Sequence, residues 1–351
     1  MINKFLISEK STIKEAMKQL SVSSNKIIFV VSEKGKLVGT VTDGDVRRWI
    51  LRNGSLNKKV ESICNRNPVY VEEDKYNIED VKKIMVNKKI ESIPVVDGNK
   101  KIISALFWGD IFGEEYKKPE KKLDVPVVIM AGGQGERMTP FTRIWPKPLI
   151  PVGEKPVIEV IMDSFNDNGC SDFFLLLNYK SEMIKSYFDN SELNYGIHYI
   201  KESKPLGTAG GLVLLPKKFP ETFFLSNCDI IVKEDYEEMY KFHKRYNHDI
   251  TIVASYKHFI VPYGVIQSNR EKLEKIIEKP EHDYLVVTGV YIMQKRVISL
   301  IPKGKTFHMP DLIESVKQNK GKVGIYPISE KSWSDIGELE KYKETIKKLE
   351  L

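Results

Sequence analysis

The stretch Val128-Ile129-Met130-Ala131-Gly132-Gly133-Gln134-Gly135-Glu136-Arg137-Met138-Thr139-Pro140 decides the fold. An apolar run of strand type ends directly in a glycine cluster. With no Cβ in the way, the backbone there can turn sharply and bring its N–H groups against phosphate oxygens. Arg137 follows at once, and Lys147 lies ten residues further on in Trp145-Pro146-Lys147-Pro148. Two cations beside such an amide nest suit a triphosphate whose charge moves onto leaving pyrophosphate. Taken alone, the glycines also fit an ordinary turn or a dinucleotide fingerprint. However, Gly133-x-Gly135 lacks the third glycine at the Rossmann spacing, and no Walker lysine-serine follows.

Downstream, apolar strands at 126–131, 172–178, 222–228 and 249–255 alternate with amphipathic helices at 157–168, 181–189 and 235–246. That alternation predicts an α/β domain with a parallel, doubly wound sheet, its ligand at the carboxyl ends of the strands. Segments 263–268, 273–278 and 284–293 read as an antiparallel extension capping the site, and 338–349 as a closing helix rich in lysine and glutamate. Asp229 ends the hydrophobic strand Phe223-Phe224-Leu225, where a carboxylate can face the crevice and hold a hard cation or simply cap a helix. Asp335, beside Gly337, is a second candidate ligand, since magnesium takes one or two carboxylates plus phosphate oxygens. Leu206-Gly207-Thr208-Ala209-Gly210 opens a helix and admits either a flat base or nothing at all. Lys279, between Glu278 and Pro280, fits a sugar phosphate as well as plain solvent.

Upstream of the strand the composition changes. Residues 116–124 are charged, proline-bearing and aperiodic, which predicts a linker between a module at 1–115 and a domain at 125–351. Within the module the chain repeats itself at an offset of 65 residues, setting Gly44-Asp45 on Gly109-Asp110 and Val30-Val31 on Val95-Val96. Each copy reads helix, strand, turn, strand, then a helix opening at the Gly-Asp pair. One copy cannot bury its sheet face alone, so two pack as one α+β unit.

The run Gly132 to Arg137, with Pro140 and Pro146-Lys147-Pro148, resembles the signature of the sugar-1-phosphate nucleotidyltransferase family. The likeness continues through Glu202 with Pro205 to Gly211, Ser226-Asn227-Cys228-Asp229, Pro262-Tyr263-Gly264, Ile277-Glu278-Lys279-Pro280, Thr288-Gly289-Val290-Tyr291 and Trp333-Ser334-Asp335-Ile336-Gly337. The resemblance implies a Rossmann-like, GT-A-like domain that joins a nucleoside triphosphate to a sugar 1-phosphate by in-line attack and releases pyrophosphate. It implies catalytic Arg137, Lys147 and Asp229, and Mg²⁺ on Asp229 and Asp335. Nucleotide contacts would come from Ala131, Gly132, Gly133, Gly135, Glu202, Leu206, Gly207, Thr208 and Ala209, and sugar-phosphate contacts from Gly264, Glu278, Lys279, Thr288 and Val290. Glu136 departs from the pattern, standing where many members have threonine, and puts a carboxylate beside the expected triphosphate.

The N-terminal repeat resembles a tandem pair of CBS domains. That implies a purine nucleotide effector near Thr42 and Asp45, with Asp110 at the matching place of the second copy, where Phe107 replaces the threonine. A purely structural dimerisation module is the alternative, and such pairs commonly give homodimers or larger homo-oligomers. This order of domains is similar to a bacterial group of sugar-1-phosphate guanylyltransferases. It implies GTP with glucosamine 1-phosphate, on a path to legionaminic acid, ahead of mannose or heptose 1-phosphate and of uridylyl or thymidylyl transfer. A nucleotide sensor with an inactive transferase domain is a reading from another class.

Bulk properties agree. The 351 residues carry a net charge of +7, spread over lysines rather than gathered in a stripe with stacking aromatics, which argues against a nucleic-acid partner. Hydrophobic residues at 41% and charged residues at 29% describe a globular chain with a real core. Three cysteines without metal spacing suit a reducing compartment, no signal-type run opens the chain, and no apolar stretch reaches membrane length. The expectation is a cytoplasmic protein without membrane partners.

Overall fold

The structure, a computed structural model, describes residues 2–23, 26–88, 90–112 and 123–348. The chain separates into two compact units, 1–119 and 120–351. Most of the expected linker at 116–124 lies outside the described residues; Leu123, within them, is buried.

Unit one is the predicted repeat made solid. Two three-stranded sheets, Leu6–Ser8 with Ile27–Val31 and Leu37–Thr42, and Val71–Glu72 with Ser92–Val96 and Ile102–Phe107, have the same topology: one parallel pair, then one antiparallel pair. Each antiparallel pair carries a bulge at the same place, Val30/Val31 in one and Val95/Val96 in the other. The copies meet at equivalent residues, for Lys36 bridges Lys101 with Leu37 N–H donating to Lys100 O at 2.8 Å. Phe5 and Phe29 from one half join Val96 and Ile102 from the other in a single buried cluster, which is why neither half closes alone.

Unit two is built on a seven-stranded sheet, ordered Gly196–Lys201, Asp172–Leu177, Val127–Met130, Thr222–Asn227, Glu281–Gln294, Ile250–Ile260, Val323–Ile328. The apolar runs bury both faces, as period-two geometry demands. Val127, Ile129, Phe173, Leu175 and Phe224 enter one core cluster with helices Val157–Asn166, Ser181–Asp189 and Tyr236–Tyr246, while Val128, Phe174, Leu176 and Phe223 enter another with helix Met309–Gln318. One expectation is relocated. Segment 284–293 is antiparallel, but it runs inside the sheet between Thr222–Asn227 and Ile250–Ile260 instead of lying over the site. The six consecutive buried residues from Thr288 to Met293 are the physical reason, since only an internal strand hides both of its faces. Its other half, 281–287, continues with the end of Ile250–Ile260, and these two strand ends lead into the separate hairpin Val265–Asn269/Lys272–Ile277.

A buried polar network lies among three inner strands of the sheet, at the amino end of Thr222–Asn227. His243 is fully buried, with Nδ1 2.9 Å from Thr251 Oγ1 and Nε2 2.7 Å from the Gln294 amide nitrogen. Because that amide nitrogen also donates to Thr222 Oγ1, Nε2 accepts and the ring is neutral. Burial drives the ring from 6.5 down to about 4. A histidine held neutral binds fewer protons folded than unfolded, so its stabilising share is complete above pH 6.5 and is withdrawn as pH falls towards 4. The expected slope is about 1.4 kcal/mol per pH unit in that window. Urea unfolding from pH 7 to 4.5 should show this slope in the wild-type protein and its loss in His243→Gln.

Candidate active site

The glycine-rich loop leaves the strand Val127–Met130 at its carboxyl end, as open-sheet topology requires of a ligand site. Ala131 is buried and its N–H donates to Leu176 O at 2.9 Å, while Gly132 lies against Asn178 and Glu202 and Gly133 faces open space. Gly135 has φ +68°, and a Cβ on it would stand 2.9 Å from Thr142 Cγ2 and 3.0 Å from Lys147 Cβ. That close approach folds the loop back onto the Pro-Lys-Pro segment and sets Lys147 beside the glycines. Arg137 sits on the short turn Glu136–Met138, exposed, with Nη1 donating to Glu338 Oε1 at 2.7 Å. Glu136 is exposed as well.

Asp229 is buried, two residues beyond the strand Thr222–Asn227. Lys147 Nζ donates to its Oδ2 at 2.5 Å. Immediately after it, Ile230–Val232 pairs antiparallel with Trp333–Asp335 in the register Ile230 to Asp335, and Ile336 N–H donates to Asp229 O at 2.9 Å. The ladder thus carries a carboxylate from residue 335 to the side of one from residue 229. Asp335 Oδ1 accepts from Gly337 N–H at 2.7 Å and Oδ2 from Lys341 Nζ at 2.8 Å. A Cβ on Gly337 would stand 2.7 Å from Asp229 Oδ2, 2.8 Å from Asp335 Oδ1 and 3.4 Å from Lys147 Nζ. The absent side chain leaves a cradle between the two carboxylates. Among the described residues no three His, Cys, Asp or Glu side chains gather as a metal cage. Two carboxylates around an open cradle suit a cation that completes its shell with phosphate and water, as Mg²⁺ does.

Glu202 is buried behind the loop. Burial raises its carboxyl above the usual range, against the opposing pull of the Leu206 backbone N–H. Asn178 Nδ2 donates to its carbonyl at 2.8 Å. The short helix Gly207–Gly210 begins just beyond, and the N–H groups of Ala209 and Gly210 both donate to Phe307 O, while Thr208 Oγ1 accepts from Met309 N–H. Segment 307–309 therefore fixes this helix from outside.

At the base of that hairpin, a Cβ on Gly264 would stand 3.0 Å from Glu278 Oε2, so these two expected sugar contacts are neighbours. Lys279 is exposed and has φ +43°, a left-handed backbone rare for a side-chain-bearing residue and costing on the order of 1 kcal/mol. Thr288 and Val290 are placed differently. Both are buried, and the Thr288 hydroxyl donates to Val253 O at 2.8 Å and accepts from Val290 N–H at 3.2 Å. In unit one, Thr42 and Asp45 form a helix capping box: Asp45 Oδ2 accepts from Thr42 N–H at 2.8 Å and Oγ1 at 2.7 Å, and Oδ1 pairs with Arg48. Asp110 is exposed on the helix Trp108–Phe112. Sequence reasoning missed Glu338 and Lys341, whose alternating charges read as a solvated helix face. Asn178, directly after an apolar strand, was the one signal for Glu202's partner.

Residues 126–350 match the Nucleotidyl transferase family, and residues 1–52 and 60–114 match the CBS domain. Among curated proteins, a mannose-1-phosphate guanyltransferase of Yarrowia lipolytica is 32% identical over 221 residues, and one of Pichia angusta is 31% identical over 225. Each match covers 60% of this chain and 60% of the relative, so the chain spans about three fifths of the length of the curated proteins it matches. Among solved structures, HddC from Yersinia pseudotuberculosis superposes with a TM-score of 0.52 at 25% identity, over 64% of this chain and 99% of that one. A second structure of HddC, complexed with GMP-PN, superposes with a TM-score of 0.51 at the same identity and coverage.

The cradle makes a sharp prediction. Gly337→Ala should lower kcat/KM for pyrophosphate release by about 100-fold or more, the scale of losing a preorganised charge contact. Its thermal midpoint should move by only a few degrees. Unchanged kinetics would remove the cradle from the site.

Proposed function

The chain belongs to the nucleotidyl transferase family, with a CBS domain pair ahead of the transferase unit, and from that premise we propose that it is a cytoplasmic sugar-1-phosphate guanylyltransferase. The single observation that carries this reading is the meeting of Asp229, Asp335 and Lys147 around the Gly337 cradle beside the glycine loop. Guanine is supported by the names of the curated relatives and by the GMP-PN complex of HddC.

Ala131, Gly132, Gly133 and Gly135 line the triphosphate, and Glu202 with Leu206 to Ala209 borders the base. Asp229 and Asp335 would hold Mg²⁺, which when bound offsets the mutual repulsion of two phosphate-bearing substrates. Arg137 and Lys147 neutralise non-bridging oxygens of the triphosphate, Lys147 being freed from Asp229 as the cation takes its place. Lys279 meets the sugar phosphate, and Glu278 and Gly264 shape the space for sugar hydroxyls. Thr288 and Val290 act as support behind that wall, since the threonine hydroxyl is already engaged. An oxygen of the sugar phosphate forms its bond to the α-phosphorus as the α–β bond breaks, and pyrophosphate departs with the bonding pair. No proton transfer or covalent enzyme intermediate is needed, so the chain's work is alignment and charge stabilisation.

Glucosamine 1-phosphate, feeding legionaminic acid or another surface glycan, is the acceptor suggested by the domain order. Mannose 1-phosphate is the second reading, favoured by the names of the relatives. The CBS pair would bind a purine nucleotide at Thr42, Asp45 and Asp110, with Asp45 exchanging Arg48 for ribose hydroxyls. Assembly as a homodimer or larger is supported by the apolar side chains Tyr263, Ile266 and Leu273, which stand 74%, 66% and 60% exposed. No helix among the described residues is long and apolar enough to cross a membrane.

A pyrophosphate-release panel of four triphosphates against glucosamine, mannose and heptose 1-phosphates should single out GTP, with Asp229→Asn reducing kcat by about 1,000-fold. A sensor with an inactive transferase unit would show no release with any pair. Calorimetry of the full chain with purine nucleotides should give a heat that Asp45→Ala removes, and sedimentation at micromolar concentration should exceed the monomer mass. Silence in the first or a monomer in the second discards the corresponding reading.

A further inference from the structure

Three ion pairs lie about the two carboxylates and the glycine loop, and one of them ties the late segment 335–341 to that loop. Lys147 holds Asp229 at 2.5 Å, Lys341 holds Asp335 at 2.8 Å, and Arg137 holds Glu338 at 2.7 Å. The first two follow from the proposed function, because an acid that is to bind a cation must be neutralised when the cation is away. The third has no such explanation. Glu338 belongs to neither the metal set nor the sugar set, yet its Oε1 receives the guanidinium that is meant for polyphosphate.

The pairing is not a by-product of docking the C-terminal helix. Helix Leu339–Lys348 is moored separately on the segment that follows the glycine loop, by Tyr342 OH donating to Pro151 O at 2.9 Å and by the Tyr342 ring 6.4 Å from that of Phe141. Glu338 Oε2 is also 3.9 Å from Lys341 Nζ, so its charge sits between Arg137 and a cation of its own segment. Both partners of the Arg137 pair are open to solvent, with side chains 67% and 41% exposed, which makes it exchangeable. An arginine fork recognises carboxylate and phosphate through the same N–H groups, so one ligand must leave as the other arrives.

We propose that Glu338 is a positioning residue of the transfer reaction, holding Arg137 at the mouth of the phosphate loop and competing for it with polyphosphate. The inference rests on the reading of Arg137 as a triphosphate contact and deepens it. When triphosphate binds, the Arg137–Glu338 pair breaks and an Arg137–phosphate pair forms; no proton moves and no covalent bond changes. When pyrophosphate is to leave, the carboxylate retakes the guanidinium. Glu338 therefore weakens the hold on polyphosphate and assists its departure.

The test is calorimetric titration of the full-length protein with inorganic pyrophosphate in the presence of magnesium. It compares wild type, Glu338→Gln, Arg137→Ala and the double variant, alongside steady-state kinetics. Glutamine keeps the shape and removes the charge, and pyrophosphate should bind about five-fold more tightly to Glu338→Gln, the scale of one exposed ion pair. In the Arg137→Ala background the same substitution should leave the Kd unchanged. KM for the triphosphate should fall in Glu338→Gln while kcat falls with it, a split that a purely structural role would not produce. Unchanged or weaker binding overturns the proposal, as does an equal gain in both backgrounds, which would mean general charge removal. A wild-type protein that turns over while Glu338→Gln changes nothing overturns this inference alone. One that neither turns over nor binds pyrophosphate overturns the functional reading and this inference together.

Discussion

The site depends on one short antiparallel ladder, Ile230–Val232 against Trp333–Asp335. It brings together two carboxylates more than a hundred residues apart in sequence. The register matters as much as the pairing. A slip of one residue would turn Asp335 to the opposite face and put Ser334 in its place. The Ile336 N–H to Asp229 O bond guards against that slip by fixing the strand ends together. Everything charged in the site is then arranged about this pair: Lys147 on one acid, Lys341 on the other, and Gly337 withholding a side chain from the space between them.

Around that pair, the unit solves a common electrostatic problem. In the proposed reaction two anionic substrates must approach each other, so the site needs positive charge that is present when they bind and quiet when they do not. Here the quiet state is built from internal ion pairs, Lys147 with Asp229 and Arg137 with Glu338. Exchanging partners on binding keeps the buried Lys147 from being left unpaired, where desolvation is costly, while the exposed Arg137 pair is free to open.

Much of this was legible in the sequence, for identifiable reasons. Unbroken apolar runs such as Phe173 to Leu177 mark strands buried on both faces, and the 65-residue offset in the first unit reappears down to the position of its bulges. The glycine loop with Arg137 and Lys147 was readable because glycine and cations have few other reasons to cluster after a buried strand. What stayed hidden depends on long-range register. Segment 284–293 reads as part of an antiparallel extension capping the site because an apolar run does not say which strands it will lie between. Thr288 looks like a substrate contact until its hydroxyl is seen bonded to Val253 O. Glu338 and Lys341 lie in a run of alternating charges that, without the fold, is indistinguishable from solvated helix surface.

The strand Glu281–Gln294 has one further consequence. Its second half is held inside the sheet between two neighbours, while its first half runs out with the end of Ile250–Ile260, the two strand ends leading into the hairpin flanked by Gly264 and Glu278. Mechanically this has the form of a cantilever, fixed at the root by two ladders and at the tip by one. Under the proposed reaction the phosphate chemistry would belong with the root, where ångström-scale errors are expensive. The proposed sugar contacts would ride towards the tip, so acceptors of different bulk would press on the beam away from the charges at its base.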